Sequence, residues 1–193
     1  VNKENNGPCF QGHANVVMPQ PYGYVTREGG AGSEGSVARI EEIRRRLASG
    51  KIDSNCLVIF PQGLPPTGKD RGSLGQNMAE YVSTLPEFFE ATILHEAKSW
   101  GTANDIQAAY VMATKAGCDR DVTWHFATDA NHLRRVKVIW LMTHPRGKGW
   151  QAKFYEAKGH VMSDKERFLR EPIHCLKEVV TLMPIFICRL LGR

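Results

Sequence analysis

Several familiar signatures are missing from this 193-residue sequence: it has no CxxC pair, no GxGxxG immediately after its first strand-like run and no GxxxxGK[ST] segment. The first absence removes zinc-ribbon and thioredoxin-type redox readings, and the other two remove the standard dinucleotide and P-loop readings. No cluster of metal-ligand spacing occurs; His125 and Asp129 are close in sequence but specify no third ligand, so no metal is expected. There is no apolar core of signal-peptide type near the start, and no uninterrupted apolar run near the ~20 residues that a membrane-spanning helix needs. The longest candidate, Val179 to Leu191, is broken by Pro184 and Arg189, which favours docking onto the core, with an interfacial helix as the second reading. The five cysteines, at 9, 56, 118, 175 and 188, are odd in number and scattered, as in a reducing compartment. The expected location is cytoplasmic.

Hydrophobic residues make up 42% and charged residues 23%, a globular composition. The net charge of +5 is uneven: residues 124–193 carry 13 Lys/Arg against 6 Asp/Glu, and residues 1–123 carry 12 against 14. The basic residues are dispersed and no nucleic-acid-reading module accompanies them, so they read as solvated surface and no nucleic-acid partner is expected.

Short apolar runs alternate with helical stripes along the chain. Ala14 to Met18 reads as a first strand, followed by a glycine-rich turn through Gly35 and a helix from about Ser36 to Ser49 with Val37, Ile40, Ile43 and Leu47 on one face. Cys56 to Phe60 is nearly all apolar, as in a strand covered on both sides. A helix from Ser73 to Ser83, a strand at Thr92 to His95, a helix from Thr102 to Ala116 and a strand at Asp121 to Ala127 continue the pattern. His132 to Leu141 reads as a helix, Trp150 to Tyr155 as a strand, and a last helix starts near Asp164. Alternation of this kind predicts an α/β fold, a Rossmann-like three-layer sandwich with a mainly parallel sheet. Residues 1–13 form an extension and residues 14–193 one domain.

Ligands in such folds bind beyond the C-terminal strand ends, where four loops converge. The first, Gly29 to Ser36, includes Gly30 and offers backbone N–H groups and a helix entrance to an anion. The second holds Gly63, Lys69 and Arg71, and the third Glu96, Ser99, Trp100 and Thr102, with Thr102 and Asp105 approximating a helix cap. The fourth is Ala127 to Arg135: Thr128 and Asp129 leave a strand, and His132 and Arg135 stand three apart on the helix that follows. Arginine there offers a fork to phosphate or carboxylate, and histidine can donate to an anion or carry a proton.

The sequence resembles the ElyC/SanA/YdcF family of bacterial proteins over roughly residues 14–183. The likeness rests on Ser36 and Arg39 in the first helix, on Ile93 to Thr102 and on Thr128 to Arg135. Gly63, Glu96, Ser99, Thr102, Thr128, His132 and Arg135 fall in the family's patterns, whereas Gln62, Ala97, Gly101, Asn104, Asp105 and Asp129 stand where it usually has Gly, Asp, Asn, Glu, Asn and Ser. The resemblance implies a Rossmann-like fold, links to envelope biogenesis, and a nucleotide-like ligand such as S-adenosylmethionine, which is associated with one branch.

The leading expectation is binding, with or without enzymatic conversion, of a phosphate-containing or nucleotide-like small molecule. Arg39, His132 and Arg135 would hold the anion, Gly30, Ser36, Gly63, Ser99, Thr102 and Thr128 would line its site, and Glu96 would orient polar atoms. A hydrolytic or phosphoryl-transfer enzyme would use Glu96 or Asp129 as base and His132 as acid. A noncatalytic envelope or assembly factor would instead present an apolar face of the C-terminal helix to a protein or a membrane surface.

Overall fold

A computed structural model describes residues 15–20, 34–61, 73–96, 98–99 and 101–158, together with the helical residues 173, 176, 177, 179, 180, 182, 183 and 187. Five strands, β1 (Asn15–Pro19), β2 (Leu57–Phe60), β3 (Thr92–His95), β4 (Thr123–Thr128) and β5 (Gln151–Glu156), form one sheet in the order β3-β2-β1-β4-β5. Every pairing is parallel, with Met18 beside Phe126 and Val58 beside Ile93. The fold is the expected α/β Rossmann-like three-layer arrangement.

Burial follows position in the sheet. All four residues of β2 are buried, as its unbroken apolar run requires, while the edge strand β5 has only exposed and half-buried positions. The helices α1 (Glu34–Ala48) and α2 (Leu74–Ser83) cover one face, where Ile40, Ile43, Leu47, Met78 and Val82 pack on Val17, Val58 and Phe60. The opposite face receives α3 (Thr102–Lys115) and α4 (Ala130–Thr143), whose Ile106, Ala109, Val136 and Ile139 meet Val16, Met18, Ile59, Trp124 and Phe126. Trp124 is fully buried there, with the rings of Tyr110, Trp140 and Trp150 within 5.1 to 5.8 Å. Cys56 and Cys118 are buried free thiols, pushed up to about 12 and about 11 by loss of solvent, which keeps them protonated and inert.

At the entrances of α3 and α4 the structure differs from the sequence-based expectation. Helix α4 begins at Ala130, before His132, because the Asp129 side chain caps it by accepting from the His132 backbone N–H at 3.0 Å. Thr102 does not cap α3: the cap position belongs to Gly101, which makes no side-chain cap bond and sits at φ 88°, ψ 149°, close to a region that is essentially glycine-only. The Thr102 hydroxyl is therefore available for contacts away from its own helix.

The expected C-terminal helix lies largely outside the described residues, but those described between Ile173 and Ile187 are helical, with Val179 and Leu182 packed on the α3/α4 core. Among the described residues no helix is long and apolar enough to cross a membrane.

Candidate functional site

From β1 the chain moves outward to β2 and β3, and from β4 it moves the other way to β5. The boundary between β1 and β4 is thus the switch point of the sheet, where the diverging connections open a crevice above the strand ends. Gln20 follows β1 there and Thr128 ends β4.

A buried arginine joins these two strand ends. Arg39 of α1, 1% exposed, donates from Nη1 to the Gln20 carbonyl at 2.7 Å and from Nη2 to Asp129 Oδ2 at 2.5 Å. The other Asp129 oxygen serves the α4 cap, so its carboxylate is used on both sides. Burial alone would raise the Asp129 carboxyl, but the Arg39 charge and the His132 N–H outweigh it and hold it below the usual carboxylate range. Such a group is a weak base, and the geometry has Arg39 and Asp129 together fixing α1 and α4 against the strand ends. Ser36 is fully buried one turn earlier on α1.

On the other side of the Asp129 cap, the His132 ring meets residues from two helices. Arg135 Nη2 lies 2.6 Å from His132 Nδ1 and donates to Thr102 Oγ1 at 3.0 Å, while His132 Nε2 is 3.5 Å from the same hydroxyl. A guanidinium has only donors, so Nδ1 must accept and the ring hydrogen belongs on Nε2. Thr102 then accepts from both cationic and ring N–H groups, and its own hydrogen is free to donate elsewhere. The first turns of α3 and α4 are thereby held side by side, with both helix N-termini toward the same crevice, an arrangement favourable to negative charge.

Three further polar groups converge on this edge. Thr128 Oγ1, Gln20 Nε2 and Ser99 Oγ are buried and have no hydrogen-bond partner among the described residues. By strand alternation Thr128 lies on the face of Trp124 and Phe126, and Gln20 continues the side of Val16 and Met18, so both are on the α3/α4 side of the switch point. Buried donors and acceptors are normally paired in a folded protein, and each left alone costs about 1–3 kcal/mol.

Glu96 is placed differently from the orienting role expected of it. Its two carboxylate oxygens accept from the backbone N–H groups of Lys98 (2.6 Å) and Ser99 (2.8 Å), folding back the loop that leads to α3. It shapes the loop that buries Ser99. Gly30 and Gly63 lie outside the described residues.

Gln20 does not stand out in the sequence; the signal for it is its position as the polar residue directly after the first apolar run. A second signal easily passed over is Gly30-Ala-Gly32-Ser-Glu-Gly35, a GxGxxG pattern that runs into α1 rather than following β1 at once. Its last glycine is buried in the first turn of α1.

No family model, curated protein or solved structure matches the chain.

Proposed function

We propose that the chain binds a phosphate-containing or nucleotide-like small molecule on the α3/α4 side of the β1/β4 switch point. The observation that carries this reading is the set of three buried, unpartnered polar groups, on Gln20, Ser99 and Thr128, that follow or end β1, β3 and β4 at the sheet edge where the Thr102–His132–Arg135 network also lies. A polar ligand supplies the partners those groups lack, and the paired helix N-termini with Arg135 favour an anionic part of it. Likeness to ElyC/SanA/YdcF sequences supports S-adenosylmethionine as one ligand to try, and membership of that family is part of the proposal. Where the ligand is also converted, His132 Nε2–H is placed to donate a hydrogen bond to a negatively charged oxygen, while Asp129 and Glu96 serve structure.

The test is calorimetric titration of nucleotides, S-adenosylmethionine and phosphorylated sugars against the folded chain. At least one is expected to bind with micromolar affinity, and Arg135→Met is expected to weaken its binding tenfold or more, a loss of about 1.4 kcal/mol. A well-folded chain that binds none of these classes would overturn the reading.

Thr128 separates the cost of the site to the fold from its use. Replacing an unpaired buried hydroxyl by a methyl group of the same shape removes a desolvation penalty, so Thr128→Val is expected to be neutral or to stabilise by about 1 kcal/mol. The same variant is expected to lose ligand affinity. A destabilisation beyond about 1 kcal/mol in urea unfolding would show that the hydroxyl is bonded within the fold.

A further inference from the structure

Within the C-terminal helix, Val179 and Leu182 pack on the α3/α4 core, yet five other apolar residues face outward. Ile173, Leu176, Val180, Met183 and Ile187 are between 41% and 66% exposed. Their spacing alternates three and four residues, which on an α-helix places all five along one side. Assigned to a heptad, Ile173, Val180 and Ile187 occupy a positions and Leu176 and Met183 occupy d positions. β-branched residues at a with unbranched or γ-branched residues at d are the pattern that favours two strands.

We propose that this stripe pairs with the same stripe of a second copy of the chain, forming a two-stranded helical seam. The area fits. Five half-exposed apolar side chains leave on the order of 500 Å² per chain, at the upper end of what a monomer ordinarily shows to water. Burying the stripe on both copies removes roughly 1,000 Å² of apolar surface, about the threshold of a specific interface before the flanking residues are counted. The charges fit as well: among the described residues of this helix Lys177 is the only charged one, and it lies outside the five-residue stripe. An anionic membrane surface is the less suited occupant, because an interfacial helix carries a Lys/Arg-rich polar face, whereas Lys177 and Glu178 are the only charges between Ile173 and Ile187 and they balance.

Sedimentation equilibrium of the whole chain over a low-to-high micromolar series is expected to show a monomer–dimer equilibrium. Val180→Glu, at the middle of the stripe, is expected to shift the population to monomer at every concentration while leaving the far-UV circular dichroism and thermal midpoint of the monomer unchanged. Conservative Val180→Ile is expected to keep or tighten the dimer. A monomer throughout the series overturns the proposal, as does a dimer that Val180→Glu does not weaken. Flotation with phosphatidylserine-containing vesicles supplies the contrary outcome: binding to vesicles by a chain that stays monomeric in solution assigns the stripe to a lipid surface instead. None of these results depends on whether the strand-end crevice binds a nucleotide-like molecule.

Discussion

Arg39→Ala is expected to lower the unfolding free energy by about 3–5 kcal/mol, read as a fall in the urea midpoint at unchanged slope. The magnitude follows from what the substitution leaves behind. Arg39 and Asp129 are both buried, and with the guanidinium gone the Asp129 carboxylate has lost the opposite charge that offsets its desolvation. The Gln20 carbonyl loses a donor in the same step. Asp129→Asn separates the two duties of that residue. The amide oxygen still accepts from the His132 N–H, so the α4 cap survives, but the Arg39 charge is now buried without its counter-ion. This variant is expected to lose several kcal/mol as well, and to lose the acid sensitivity linked to Asp129. In the wild type the Asp129 pKa is lowered on folding, so its contribution is complete above the ordinary carboxylate range and declines as pH falls through the lowered value. A cost below about 1 kcal/mol for Arg39→Ala would show that the clasp is dispensable.

A second large effect is expected from acid, through His125. The ring lies in β4, 1% exposed, with Nε2 2.8 Å from Asn15 Oδ1 and Nδ1 2.9 Å from the Tyr155 hydroxyl. Burial first, and then the Lys153 charge, push its pKa down from 6.5 to about 4. The folded state therefore favours the neutral ring, and the unfolded chain binds more protons between those two values. Stability is complete above pH 6.5, declines as pH falls below it and levels off near pH 4, a loss of roughly 3 kcal/mol at 1.36 kcal/mol per pH unit. Urea midpoints measured from pH 7 down to pH 4 should show the decline, and His125→Gln should begin less stable but give a flatter profile. If the variant retains the full slope, other groups carry the acid response.

The order in which apolar runs and helical stripes follow one another made the layered fold legible. Cys56 to Phe60 could be read as a strand covered on both faces because its apolar run has no alternation, and Thr92 to His95 was bounded correctly by its neighbours. Strand order was not legible, since nothing local in Asn15 to Pro19 says that β4 rather than β3 will lie beside it. The site was legible as a set of loops but not as a set of bonds. Arg39 looked like an anion-binding side chain because its partner stands 90 residues away. Thr102 looked like a helix cap because the sequence does not show that Gly101 turns the backbone and frees the hydroxyl for His132 and Arg135. Side-chain roles of this kind depend on long-range packing, which residue spacing does not encode.

The pairing of β1 with β4 has a consequence for how the chain is made. During synthesis the strands β1, β2 and β3 emerge before β4. The free edge of β1, with Val16, Val17 and Met18, then has no neighbour until Trp124, His125 and Phe126 have been translated. An apolar strand edge held open in this way is a template for pairing with other chains.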